Sequence, residues 1–185
     1  MYARGEGVTK NYTEAAKWYR KAADQGDASA QVRLGRNYAN GSGVPKDDQE
    51  ALKWYRRAEA QGDVAAQVYL GLMYVHGAGV PEDNQEALKR YRLAAEQGYA
   101  TGQLYLGWMY AQGIGVPKDN QEAKKWYLLA ADQGNVTAQY RLGKMYETGV
   151  ISTLTPGDAN AREALKWYRL AAKRGKDTAQ VELGW

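Results

Sequence analysis

One dipeptide, Leu-Gly, returns through the chain at a fixed interval and limits the fold more than any other feature. It occurs at Leu34-Gly35, Leu70-Gly71, Leu106-Gly107, Leu142-Gly143 and Leu183-Gly184, each copy 36 residues after the last until the final step of 41. The same register carries Tyr38, Tyr74, Tyr110 and Tyr146, with Tyr2 beginning it. It also carries Trp18-Tyr19, Trp54-Tyr55, Trp126-Tyr127 and Trp167-Tyr168, Arg90-Tyr91 being the one departure. A period of this length marks an array of small units that cannot each bury a core alone and so stack on their neighbours.

Each unit reads as two helices. Ala66, Gln67, Leu70, Gly71 and Tyr74 fall at helical spacing and form one face of a helix A, expected over about 64 to 76. Ala51, Trp54, Tyr55 and Ala58 follow i, i+3, i+4, i+7 and define a helix B over about 48 to 60. Helix B opens with capping boxes, Asp47 to Glu50, Asp83 to Glu86 and Asp119 to Glu122. The Asp accepts from an orphan N–H and the Glu is expected to reach back to the cap's own N–H. Asn11 to Glu14 and Asn160 to Glu163 repeat the box with Asn as the cap. Gly26, Gly62, Gly98, Gly134 and Gly175 suit the left-handed stop of helix B. Helix A ends in Gly-x-Gly-Val at Gly41, Gly77 and Gly113, followed by Pro45, Pro81 and Pro117, which cannot continue a helix.

The expected fold is therefore all-α, a right-handed α/α superhelical solenoid of about five helix-turn-helix repeats. The repeats lie near 1–26, 27–62, 63–98, 99–134 and 135–175, with a partial unit at 176–185. Fifteen Tyr and six Trp but no Phe suit a thin, two-layer structure in which few positions lie far from water. Cysteine is absent, which removes disulfides, thiolate nucleophiles and cysteine metal sites. A net charge of +4 is modest for the length and gives nucleic-acid binding little support. No apolar run approaches the ~20 residues of a membrane span, and the N-terminal residues lack the charged, apolar and cleavage regions of a signal peptide. The sequence leaves the location open between the cytoplasm and, if a longer parent chain carries a signal, the bacterial periplasm or exterior.

The pattern Ala-Gln-x-x-Leu-Gly-x-x-Tyr-x-x-Gly-x-Gly-Val, then Glu-Ala-x-Lys-Trp-Tyr-x-x-Ala-Ala-x-x-Gly, resembles the Sel-one-like repeat, a relative of the tetratricopeptide repeat. The resemblance covers nearly the whole chain. It implies an adaptor or scaffold in signalling, envelope assembly, host interaction or endoplasmic-reticulum quality control, in a family common in bacteria. Relatives built with cysteine bridges have been linked to β-lactam binding, but those bridges cannot exist here.

Two departures stand out. The last inter-repeat linker holds five extra residues within 150–158 and lacks the second Gly of its pair. It reads as a tolerated insertion, or as a partner-specific loop with Ile151 and Leu154 as contacts. Met1-Tyr2 sits in the register of Met73-Tyr74, and Trp185 in that of Trp108, so the two ends are complementary parts of a helix A. Weak head-to-tail association of copies is the expectation, since a heterologous contact of this kind need not close.

No residue pattern points to catalysis, a cofactor or a metal. His76 has no second His or Cys to join it as a ligand. Adjacent carboxylates such as Asp47-Asp48 fit helix N-termini better than an acid–base pair. The basic residues of helix B, Lys17, Arg20, Lys53, Arg56, Lys89, Arg92, Lys125, Lys166 and Arg169, mostly follow an acid by three or four positions and read as a solvated face.

The informative surface is the face of helix A opposite its packing face, the concave side in related solenoids. The first copy offers Arg33 and Arg36; the second Val68, Tyr69, Leu72 and His76. The third offers Leu104, Tyr105, Trp108 and Gln112, and the fourth Tyr140, Arg141 and Lys144. The middle is apolar and aromatic and the ends basic, where a spacer needs neither. Val68, Leu104 and Tyr105 have packing against the neighbouring repeat as an equal reading, whereas Leu72 and Trp108 are expected off the packing face. The function expected is a non-enzymatic scaffold holding a protein or peptide in this groove. The alternatives are a structural spacer within a longer repeat protein and, distantly, an enzyme.

Overall fold

The face pattern of two amphipathic helices per repeat is realised throughout the computed structural model, which describes residues 11–151 and 158–173. Among the described residues there are nine α-helices and no strand. They are α1 (Tyr12–Asp24), α2 (Ala28–Asn40), α3 (Asp48–Glu59), α4 (Val64–His76), α5 (Asn84–Glu96), α6 (Ala100–Gln112), α7 (Asn120–Asp132), α8 (Val136–Glu147) and α9 (Asp158–Lys173). Odd-numbered helices are helix B and even-numbered ones helix A. The chain ends, Leu154 and Gly175 lie outside the described residues.

Helix starts follow the expected caps, with one change in chemistry. The Asn11 side-chain Oδ1 accepts from Glu14 N–H at 3.0 Å, and the carboxylates of Asp47, Asp83 and Asp119 each accept from the second and third N–H of their helix. The reciprocal half of the box does not form at these three Asp caps. The cap N–H groups of Asp47, Asp83 and Asp119 donate instead to the carbonyls of Tyr38, Tyr74 and Tyr110, at 3.0, 3.0 and 2.9 Å. Each of those carbonyls belongs to the helix A just completed. With that donor satisfied, Glu50 is left to accept from Lys53 and from Trp54 Nε1. The Asn160 box is also corrected: α9 begins at Asp158, so Asn160 lies inside the helix. Asn is a mediocre helix former, but between Ala159 and Ala161 it is too weak a breaker to stop one.

The second Gly of each Gly-x-Gly turn has a packing reason as well as a conformational one. Gly43 and Gly79 take φ of +76° and +70°, and a Cβ there would stand 2.1 Å from the Tyr12 carbonyl oxygen and 2.6 Å from that of Asp48. The turn thus lies against the first residue of the preceding helix B. In the last linker Ile151 takes this position; it is 1% exposed and joins a buried cluster, so it is core, which removes it from the partner-specific-loop alternative.

The chain divides into two compact units, residues 1–90 and 91–185. In the first, Ala51, Leu52, Tyr55, Leu70 and Met73 form one buried cluster, and Ala23, Ala30, Leu34 and Trp54 another. In the second, Ala123, Tyr127, Ala130, Ala138, Leu142, Met145 and Trp167 pack together. Leu-Gly explains itself here. A Cβ on Gly35 would come within 2.7 Å of the Tyr55 ring, on Gly107 within 2.8 Å of Tyr127, and on Gly143 within 2.5 Å of Tyr168. Gly removes the one group that would hold the helices apart.

The Gln of the Ala-Gln pair, which is Gly102-Gln103 in the third copy, links repeats by hydrogen bonds. Gln31 and Gln103 are buried and donate to the carbonyls of Ala23 and Ala95, at 3.1 and 3.3 Å. Each also accepts from a Gln 30 residues on, Gln61 to Gln31 at 2.8 Å and Gln133 to Gln103 at 2.9 Å. A buried amide without these partners would cost about 1–3 kcal/mol.

Candidate partner-binding site

In the first unit the free faces of α2 and α4 flank a cleft of about 370 Å³. Arg36, Ala39 and Asn40 of α2 and Tyr69, Leu72, Met73 and His76 of α4 line it, with Tyr55 and Asp48 of α3 and Lys46 from the linker. Its floor is a stacked pair, Tyr55 and Tyr69, with ring centroids 5.0 Å apart and planes within 5°. The pair arises because Tyr69 stands one position before Leu70 and meets the ring that packs over Gly35. Burial, with the neighbouring Tyr69 adding to it and Arg36 opposing it, pushes the Tyr55 hydroxyl far above the ordinary range.

A smaller pocket of about 190 Å³, lined by Ser29, Val32, Arg33 and Arg36, lies along α2. Arg36 therefore borders both spaces. Arg33 and Arg36 are exposed and form no ion pair among the described residues; the Arg33 guanidinium sits 5.7 Å from the Tyr19 ring centroid. The helix-B lysines differ. Lys17, Lys53, Lys89, Lys125 and Lys166 each pair with the Glu three residues earlier, at 2.6 to 3.7 Å.

In the second unit Tyr105 stacks on Tyr91, centroids 5.0 Å apart, as Tyr69 does on Tyr55. Leu104 and Trp108 are half-buried and pack against the cluster containing Tyr127 and Leu142. Trp108 is thus part of the packing, contrary to the expectation that placed it wholly off that face. A large indole beside an uncovered core edge buries whatever area it can reach. Gln112 and Arg141 are exposed, and Tyr140 is half-buried against Tyr168. Lys144 donates to Glu147 at 2.9 Å; this hydrogen bond, with that of the Tyr168 hydroxyl, holds the Glu147 carboxyl below its usual range although burial works against it.

Of the residues expected to bind a partner, the structure brings Arg36, Tyr69, Leu72 and His76 together in one cleft, with Arg33 next to it. Val68 is 3% exposed and belongs to the packing. Lys46, Asp48 and Tyr55 were missed by a reading confined to the free face of helix A. Their signal was the short Gly-to-cap linker, which must fold back over helix A to start helix B.

Among the described residues no group of three or more His, Asp or Glu is placed to hold a metal ion, and no helix is long and apolar enough to cross a membrane.

The Sel1 repeat pattern matches residues 1–27, 28–63, 64–99, 100–135 and 136–176. The crystal structure of a Sel1 repeat protein from Oxalobacter formigenes is similar over 100% of this chain and 73% of its own, with 41% identity and a TM-score of 0.86. That of c5321, a protective antigen present in uropathogenic Escherichia coli strains displaying an SLR fold, is 38% identical with a TM-score of 0.75. It is matched over 97% of this chain but 38% of its own. Immunity protein Pa5087 from Pseudomonas aeruginosa shares the fold, at 24% identity, a TM-score of 0.69, and 96% and 66% of the two chains. No curated protein matches the chain. Sel1 repeat proteins are generally scaffolds for protein interaction, and typically non-catalytic. Five matched repeats spanning nearly all of its length place this chain in the Sel1 repeat family.

Proposed function

We propose that the chain is a non-enzymatic adaptor that holds a protein or peptide segment against the free faces of its A helices. The observation that carries this reading is the α2–α4 cleft, with half-buried Tyr69 and Leu72 inside it and exposed Arg36 and His76 on its rim. Positions that pack are repeated from unit to unit as Leu, Gly and Tyr, whereas position 36 becomes Leu72, Trp108 and Lys144. A free-face position that changes in character while Leu, Gly and Tyr repeat behind it is what a recognition surface requires. Trp108 and Tyr105 extend the reading to the second unit, where Trp108 serves packing as well.

Random dodecapeptides displayed on phage supply the test. Peptides enriched on the wild-type chain should bind Leu72→Ala about tenfold more weakly or worse, as loss of an apolar anchor does. The variant's helical circular dichroism should be unchanged. Enrichment of nothing, or equal binding to Leu72→Ala, would leave the spacer alternative in possession.

A second reading concerns assembly. Trp18 is 55% exposed, whereas Trp54 and Trp167, in the same register, are 2% and 6% exposed. Trp54 is covered by Tyr19, Ala22 and Ala23 of the helix B before it. A second copy covering Trp18 with an apolar helix face would give weak self-association. Sedimentation velocity at rising concentration should show it, and Trp18→Ser should abolish it; a wild-type chain that stays monomeric throughout sinks the idea.

A further inference from the structure

We infer that the α2–α4 cleft selects an acidic peptide, one carboxylate side chain lying against Arg36 and an apolar side chain about three residues away lying on Leu72 and Tyr69. This deepens the adaptor reading and rests on it.

The charge argument begins with which cations are already used. Each Lys of the helix-B stripe has a Glu on its own helix. Within the cleft, Lys46 and Asp48 lie 3.5 Å apart and largely cancel. Arg36 borders both the cleft and the smaller pocket, Arg33 stands one turn before it, and neither forms an ion pair among the described residues. Two guanidinium groups one turn apart on α2, neither in an ion pair among the described residues, favour an anion, and a planar carboxylate fits their forked donors.

The apolar half lies across the same cleft. Leu72 occupies on α4 the register position that Arg36 occupies on α2, and both line the same space. Two helices that flank a cleft of this size stand on the order of 10 Å apart, near the spacing of packed helices. An extended peptide advances ~3.3 Å per residue, so about three residues separate the two contacts. A volume of about 370 Å³ is within the range of sites that bury a few side chains. The Tyr55–Tyr69 stack gives the apolar side chain a rigid platform that loses little freedom on binding.

The enriched phage peptides decide the matter. They should carry Asp or Glu three positions from an aliphatic or aromatic residue. For a synthetic peptide of that sequence, measured by fluorescence anisotropy, changing its acid to the amide should weaken binding about tenfold. Arg36→Gln in the protein should do the same, Arg36→Lys should retain part of the affinity, and combining amide and Arg36→Gln should cost no more than either alone. Peptides that bind through Leu72 with no acid requirement, or with a basic one, would overturn the selectivity and leave the adaptor standing. Equal displacement by a single-stranded oligothymidylate would replace acidic-peptide selectivity with a general affinity for polyanions. If no peptide is enriched, both readings fall.

Discussion

At Gly107 the missing side chain is what lets Tyr127 lie against α6, so a single methyl tests the packing logic of the repeat. Its Cβ would meet the Tyr127 ring at 2.8 and 2.9 Å and the Ala123 carbonyl oxygen at 3.2 Å. Two effects oppose each other. Ala is the better helix former by about 1 kcal/mol, while overpacking a filled core costs about 1–3 kcal/mol. The clash should win, because Tyr127 is 1% exposed and has nowhere to move, and one of the obstacles is backbone. Gly107→Ala is expected to lower the urea midpoint by the equivalent of about 1 kcal/mol; a raised midpoint would mean the ring can shift. The recurrence of Leu-Gly made this position legible from sequence, since only close approach needs Gly inside a helix. Trp108 beside it was less so. Helical spacing assigns it to the free face, yet an indole is large enough to reach the core from there, and spacing carries no information about reach.

Among the helices with described caps, α6 alone starts without a side-chain acceptor. Asp27, Asp63 and Asn135 cap α2, α4 and α8, each accepting from the third N–H of its helix, but Tyr99 stands at the same place before α6 and makes no such bond. Its backbone is already in the capping conformation, φ −75° and ψ 113°, against −67° and 115° at Asp63. Tyr99 is 38% exposed, so its ring holds only part of its possible contacts and the gain of a cap should outweigh their loss. Tyr99→Asp should therefore stabilise the chain by about 1 kcal/mol, the usual worth of an N-cap. Thermal unfolding followed at 222 nm checks it, and an unchanged or lower midpoint would show that Tyr99 contributes contacts worth as much as the cap. Helix boundaries and Asp caps were legible because their chemistry is local. The partner of the cap N–H was not: Glu50 lies three residues from Asp47, but the acceptor actually used belongs to Tyr38, on the preceding helix. The cleft shares this difficulty, since Lys46 and Asp48 reach it only once the linker has folded over α2.

Three buried tyrosines, one repeat apart, couple the stability of the whole chain to alkaline pH. Tyr55, Tyr91 and Tyr127 are at most 1% exposed. Burial disfavours their phenolates: it pushes Tyr127 up to about 12, with Arg141 opposing, and carries Tyr55 and Tyr91 beyond that. In the unfolded chain the same hydroxyls ionise near 10, so above that pH the unfolded state holds fewer protons than the folded one. The stability is therefore whole below pH ~10 and declines as pH rises towards and past 12, by up to ~1.4 kcal/mol per unit for each group. The melting temperature should be level from pH 7 to about 9.5 and then fall steeply, the buried rings ionising only as the helices melt. Tyr91→Phe should flatten that fall without loss at neutral pH, because the Tyr91 hydroxyl is buried with no hydrogen-bond partner and its removal leaves nothing unsatisfied. Tyrosinate absorbance near 295 nm, recorded beside the helical signal, is the measurement. If all fifteen tyrosines titrate together around pH 10 while the helices persist, the rings are open to water and the close helix packing that the repeated Gly permits is absent.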